Sequence, residues 1–178
     1  MKRKLLCLSL TSLFLLGCSK KIEETTISDI KTKIENKEDF IFAITSRTCS
    51  HCKNLKKNYK KSSYNYVLYE VIFDDIYYGL QDNKLDVIND YKYLATLVEY
   101  AFSNITSYAL NSTHEEYFGK DYSTTYGSGY YIEGYVDIVY PLSFFYIDGE
   151  LVNFELGDYT QKLDAVMSKY NEEVNKNA

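Results

Sequence analysis

Apolar and polar positions predict a strand–helix–strand unit in the first half of the chain. Residues 40–44 are continuously apolar and rich in β-forming side chains, which indicates a buried strand. Residues 50–62 are rich in Lys and Asn, and Leu55 and Tyr59 lie four apart, so this segment is predicted to be an exposed helix. Residues 66–73 alternate well enough to predict a second strand.

The last forty residues carry a hairpin signal followed by a helix signal. Strand-like runs at 142–147 and 150–156 flank Asp148-Gly149, a dipeptide that favours a tight β-hairpin turn. Within 158–174, apolar residues recur at helical spacing. We therefore expect a strand hairpin and a terminal amphipathic helix.

The middle of the chain is longer than a simple crossover between strands requires. From Asp74 to Tyr140 there are 67 residues, whereas a strand–helix–strand connection needs only about a dozen. Apolar residues spaced three and four apart predict an amphipathic helix over 91–111, preceded by a short helix from Lys84. The excess is interpreted as a helical insertion at about 75–135.

The polar parts of this insertion are interpreted as solvated. Seven Tyr fall between 117 and 140, where a loop whose rings lean on the core is favoured over an aromatic surface that grips unfolded peptide. The pairs Asp74-Asp75 and Glu115-Glu116 are expected to be solvated loop charges.

The first residues have the pattern of a bacterial lipoprotein signal. A basic start, Lys2-Arg3-Lys4, precedes a mostly apolar run of 12 residues, which is shorter than the ~20 needed to span a bilayer. The run ends in Leu-Leu-Gly-Cys18, which resembles the lipoprotein cleavage box. We expect a signal peptide at 1–17, a lipid on Cys18, a linker over 18–26, and a domain over 27–178 on the outer face of a bacterial membrane. An ordinary secretory signal or an uncleaved anchor are the alternatives.

Charge and the number of histidines exclude two classes of function. The chain has a net charge of −5, and from Cys18 onward it carries 17 basic and 25 acidic residues. Such an acidic body lacks the basic surface that nucleic-acid binding requires. With two His in the chain, a His-rich metal site is also excluded.

The cysteine count points to redox chemistry. Of four Cys, Cys7 leaves with the predicted signal and Cys18 takes the lipid, so Cys49 and Cys52 remain, in C-x-x-C spacing. Half of a zinc site is disfavoured because no second pair of ligands completes it, and a structural disulfide across so short a loop contributes little. Cys49 is predicted at the N-cap or first turn of a helix, where unpaired N–H groups stabilise a thiolate, with Cys52 more buried and acting second.

Cys49-Ser50-His51-Cys52 after a buried strand, together with Tyr140-Pro141 before the hairpin, resembles the thioredoxin-like superfamily. The resemblance covers both ends of the expected domain and implies an α/β thioredoxin-like fold with a helical insertion. It implies that Pro141 is cis and that Tyr140 offers backbone hydrogen bonds to a bound substrate, with Ser50 beside it. Cys49 and Cys52 are then the catalytic pair, and neither metal nor organic cofactor is implied.

The residues around the motif bear on the direction of electron flow. An imidazolium at His51 favours the Cys49 thiolate, and a C-x-H-C motif resembles the oxidising branch of the superfamily. Thr48 stands where the family usually has an aromatic residue, and Ala43 where many members bury a carboxylate. The missing carboxylate disfavours a fast reductase and favours an oxidase or isomerase.

The sequence therefore predicts a membrane-anchored, extracytoplasmic thiol–disulfide oxidoreductase that acts on protein thiols or disulfides with an unidentified redox partner. One alternative is a non-catalytic accessory lipoprotein that binds partners in folding or bacteriocin export, a branch in which similar helical insertions occur. A weaker alternative is a metallochaperone with Cys49, His51 and Cys52 as soft ligands.

Overall fold

A computed structural model describes residues 21–109, 140–157 and 159–177. The Tyr-rich stretch, Glu115-Glu116 and the predicted signal with Cys18 lie outside the described residues, except for Tyr140. In chain order the described elements are β1 (Ile22–Glu24), α1 (Ile27–Glu35), β2 (Phe40–Thr45), α2 (Ser50–Lys61), β3 (Leu68–Ile72), α3 (Phe73–Gln81), α4 (Leu85–Asn104), β4 (Leu142–Ile147), β5 (Glu150–Leu156), a 3₁₀ turn (Thr160–Lys162) and α5 (Leu163–Asn177).

The five described strands form one mixed sheet in the order β1-β3-β2-β4-β5. Strands β1, β3 and β2 run parallel, whereas β4 is antiparallel to β2 and β5 is antiparallel to β4. A parallel β-α-β-α-β half followed by an antiparallel hairpin and a last helix is the topology of the thioredoxin-like fold. The predicted α/β fold class is therefore confirmed.

Strand β2 lies at the centre of this sheet and is buried on both faces. Phe40, Phe42 and Ile44 face the core that is covered by α1, α3 and α4. Ile41 and Ala43 face the core that is covered by α2 and α5. Burial on both faces explains why this strand reads as a continuous apolar run rather than an alternating one.

The hairpin forms where Asp148-Gly149 predicts it. Both residues have positive φ, at 50° and 74°, as a two-residue turn matching the strand twist requires. The Gly149 N–H donates to the carbonyl of Glu38, so the turn is also tied to the segment before β2.

Three parts of the sequence-based assignment need correction. Residues 22–24, assigned to the linker, form β1 and pair with β3. The acidic pair at 74–75 lies in the first turn of α3, a helix that the sequence analysis did not predict. The middle helix is one element that starts at Leu85 and ends at Asn104, whereas it was predicted to reach Asn111.

Side chains from β5 explain the early end of α4. Asn153 Oδ1 accepts the Tyr108 N–H at 2.8 Å, and Glu155 Oε1 accepts the Ala109 N–H at 2.9 Å. Glu155 is 1% exposed and also accepts the Ser107 hydroxyl at 2.9 Å. These N–H groups bond to a neighbouring strand instead of to the preceding helical turn, so the apolar periodicity outlasts the helix.

Candidate functional site

Cys49 and Cys52 form a disulfide at the N-terminus of α2. Cys49 is the N-cap of the helix, and its Sγ accepts the Cys52 N–H at 3.0 Å. Cys49 is 9% exposed, whereas Cys52 is completely buried. The predicted N-cap position and the predicted order of burial are both observed, so a reagent reaches Cys49 before Cys52.

The local sequence makes this helix start favourable for a sulfur anion. Its first turn carries no acidic residue, and Lys53 follows the pair. The free N–H groups of the first turn and the positive end of the helix dipole both stabilise negative charge on the N-cap side chain.

The Tyr140-Pro141 peptide bond is cis and lies next to the disulfide. The Tyr140 carbonyl oxygen is 3.9 Å from the Cys49 Sγ, although 91 positions separate the two residues. Pro141 is buried, and its carbonyl accepts the Gly157 N–H at 2.8 Å, which ties this loop to the end of β5. The fold thus brings together the two motifs on which the resemblance rested.

The other two predicted site residues lie on the outside of the first turn of α2. Ser50 and His51 are the first and second residues of the helix, and both are exposed to solvent. They therefore flank the disulfide on its solvent side.

A buried carboxylate that the sequence analysis missed lies beneath α2. Glu70 on β3 is 4% exposed and is the register partner of Ala43 on β2. Its Oε1 accepts the Thr45 hydroxyl at 2.5 Å and the Lys56 ammonium at 2.6 Å. Lys56 lies one helical turn after Cys52, so this ion pair links α2 to β3. A buried carboxylate is thus present on the strand next to Ala43, where it is bonded to Thr45 and Lys56.

A second carboxylate supports the loop that precedes Cys49. Asp74 is 4% exposed, and its two oxygens lie 3.3 Å from the Ser46 hydroxyl and 3.0 Å from the Arg47 backbone nitrogen, both of which donate. The expectation of a solvated loop charge is therefore wrong for Asp74. The expectation holds in part for the neighbouring Asp75. This side chain is exposed but forms a bidentate ion pair with the Arg47 guanidinium at 2.7 and 2.9 Å.

The phenol of Tyr140 belongs to the same cluster. Burial raises the pKa of this phenol above its ordinary value, the hydrogen bond with the Ser46 side chain lowers it, and the negative charge of Asp74 raises it further. At neutral pH Tyr140 is consequently an uncharged hydrogen-bonding group.

The structure also bears on metal binding and on membrane insertion. Among residues 21–109, 140–157 and 159–177, no group of three or more His, Cys, Asp or Glu is arranged to hold a metal ion. In the same ranges, no helix has the length and apolar character of a membrane span.

Comparison with known proteins yields a structural likeness only. No protein-family model matches the chain, and no curated protein matches it. Among solved structures, the reduced thioredoxin pre-protein of Schistosoma mansoni is similar at 13% identity, with a TM-score of 0.41 over 85% of this chain and 99% of that one. A likeness at this level transfers no residue role and no activity. A thioredoxin-like sheet with a close cysteine pair at a helix N-terminus is nevertheless the general arrangement of a thiol–disulfide oxidoreductase.

Proposed function

We propose that the protein is a membrane-anchored, extracytoplasmic thiol–disulfide oxidoreductase that acts on protein thiols or disulfides through Cys49 and Cys52. The observation that carries the proposal is the position of the Cys49 sulfur. It belongs to the less buried cysteine of a disulfide at a helix N-terminus, and it lies 3.9 Å from the carbonyl oxygen before a cis proline. The proposed anchor at Cys18 rests on the sequence pattern.

In the oxidising direction, a substrate thiolate attacks the Cys49 Sγ and the Cys49–Cys52 bond breaks. A mixed disulfide forms, and the electron pair of the broken bond leaves with Cys52, which takes up a proton. A second thiolate of the substrate then attacks the substrate sulfur of the mixed disulfide, so that the substrate disulfide forms and Cys49 leaves as a thiolate. The substrate loses two electrons and the cysteine pair gains two. In the reducing direction the steps reverse, and Cys52 resolves the mixed disulfide.

The remaining roles follow from position. The backbone of Tyr140 and the cis Pro141 lie where an extended substrate segment passes the Cys49 sulfur, and Ser50 flanks the same approach. An imidazolium at His51, one residue before Cys52, stabilises the thiolate state and makes the couple more oxidising. The reduction potential of the couple therefore decides the physiological direction.

Two measurements test this function. Alkylation of reduced Cys49 as a function of pH is expected to give a thiol pKa below ~7, and a value near the free ~8.5 would remove the electrostatic argument. Cys52→Ala is expected to trap disulfide-linked partners through Cys49 in cells, with Cys49→Ala as the matched control. Recovery of no linked species from Cys52→Ala counts against catalysis.

A functional assay separates catalysis from binding alone. Refolding of a scrambled disulfide protein, or reduction of insulin, is expected to depend on both cysteines. If a variant with both residues changed to Ser performs as well as the wild type, the protein is a binding module.

Radiolabelled fatty acid incorporated by the wild type and not by Cys18→Ser supports the anchor.

A further inference from the structure

Asp74 connects the helix that follows β3 with the loop that leads to Cys49. It is the second residue of α3, and both of its carboxylate oxygens are used by donors in the segment 46–47. With 4% exposure, it has little access to solvent. A buried carboxylate is expensive to desolvate unless such donors compensate it, so Asp74 and this loop are mutually dependent.

Ser46 also contacts Cys49 and Tyr140. Its carbonyl accepts the Cys49 N–H at 3.3 Å, and its hydroxyl oxygen lies 3.3 Å from the Thr48 N–H. Its side chain is also hydrogen-bonded to the Tyr140 phenol. Because Ser46 has one hydroxyl proton and the charged Asp74 is the strongest acceptor near it, Ser46 donates to Asp74. Its oxygen accepts the Thr48 N–H, and the Thr48 hydroxyl lies 3.2 Å from it.

We propose that Asp74 is a positioning residue for substrate binding at this site. It acts through Ser46 to hold Tyr140 against the loop that precedes Cys49. This inference rests on the proposed thiol–disulfide exchange. The chain of hydrogen bonds runs from the Tyr140 hydroxyl to Ser46 and on to Asp74. It holds the residue whose carbonyl faces the Cys49 sulfur at 3.9 Å. Loss of the Asp74 charge loosens Tyr140 and thereby the binding of a substrate backbone.

The neighbouring Asp75 offers a matched control. It lies on the same turn of α3 and carries the same charge, but its carboxylate is exposed and bonds to the Arg47 side chain instead of to the loop backbone and Ser46. Asp75→Asn removes one negative charge from the same place without touching the link to Tyr140. An exposed ion pair of this kind contributes little.

The experiment measures the reduction of a fluorescent disulfide-bonded peptide by the full chain over a range of peptide concentrations, with dithiothreitol present to regenerate the reduced cysteine pair after each turnover. Asp74→Asn is expected to raise KM about tenfold, the effect of losing a hydrogen bond to a charged group, and to leave kcat within about twofold. Asp75→Asn is expected to keep the wild-type KM. Alkylation of Cys49 by iodoacetamide, a reagent too small to need the Tyr140 backbone, is expected to change by less than about threefold in Asp74→Asn. A merely structural defect would instead lower kcat and the alkylation rate together.

A double-mutant comparison tests the route through Tyr140. Tyr140→Phe removes the hydroxyl at the other end of the chain, so Asp74→Asn combined with Tyr140→Phe is expected to raise KM no more than the larger single change. Multiplied effects would show that the two residues act independently, which overturns the proposal. If Asp74→Asn is too unstable to assay, Ser46→Ala cuts the same link. A folded Ser46→Ala variant with wild-type KM also overturns it.

The failure of this inference can be told from the failure of the proposed function. If the wild type exchanges with the peptide but Asp74→Asn and Asp75→Asn have the same KM, only the positioning role is refuted. If the wild type exchanges no faster than Cys49→Ser, the function itself is refuted, and the inference falls with it.

Discussion

Replacing Lys56 with methionine is expected to destabilise the protein more than replacing Glu70 with glutamine, although both changes break the same ion pair. The two atoms of the pair are 2.6 Å apart, but the side chains are unequally buried, with exposures of 27% for Lys56 and 5% for Glu70. A lysine that loses its partner can extend its ammonium group into water. A carboxylate under α2 cannot reach water.

The magnitudes follow from that difference. Lys56→Met keeps the packing of the stem but leaves the Glu70 carboxylate with the Thr45 hydroxyl and without its countercharge, which costs about 3 kcal/mol of unfolding free energy. Glu70→Gln keeps the shape and the Thr45 contact and frees a lysine that can hydrate, which costs about 1 kcal/mol. The double variant removes both charges and is expected to lose about 1 kcal/mol, less than Lys56→Met alone.

Urea unfolding of the four proteins, with the Cys49–Cys52 disulfide intact in each, measures these differences. For a domain of this size, 3 kcal/mol corresponds to a fall in Tm of about 6–12 °C. The reasoning is refuted if Glu70→Gln is the more damaging change, or if the double variant loses the sum of the two single effects. Either result would mean that the carboxylate is not the group held in place by the pair.

Two further predictions concern stability away from the site. Burial raises the pKa of the Glu155 carboxyl above its ordinary 4.5, so the folded state retains this proton at pH values where the unfolded chain has lost it. The wild type should therefore lose stability relative to Glu155→Gln as pH rises from about 4.5 through the raised folded pKa, and a pH-independent difference in urea unfolding would contradict this. Gly149→Ala should lower the unfolding free energy by more than about 2 kcal/mol, and Gly157→Ala by only about 1 kcal/mol. Both glycines have positive φ, but only at Gly149 would an added Cβ lie 2.5 Å from a backbone oxygen, that of Ile34. Equal losses in thermal unfolding would show that strain at positive φ, and not this collision, dominates.

Local patterns were sufficient wherever the decisive neighbours are close in sequence. The hairpin follows from two residues that tolerate positive φ, and the helix start at Cys49 follows from a polar segment placed directly after an apolar strand. Helix α3 was missed although its signal was present. Phe73, Ile76 and Leu80 lie three and four positions apart, and all three are buried. The strand pattern that ends at 73 was extended over the first residue of that helix.

The buried charges had weaker signals. Glu70 occupies the same strand face as Leu68, so a carboxylate on an inward position could have been noticed. Nothing in the order of residues indicates that Lys56 and Thr45 bond to it, because those partners come from a helix and from another strand. The burial of Asp74 similarly depends on a loop 27 and 28 positions earlier in the chain.

The sequence by itself determined the strand–helix–strand unit, the hairpin and the placement of the cysteine pair at a helix N-terminus, because each depends on periodicity, turn chemistry or capping within a few residues. The α/β thioredoxin-like fold class followed from the resemblance of the two motifs. Only the tertiary structure decided that Tyr140 meets Cys49, that α4 stops at Asn104, and that two carboxylates are buried near the dithiol. Whether a polar group is buried depends on which distant donors compensate it, and those donors are assembled by the packing of the sheet and its helices.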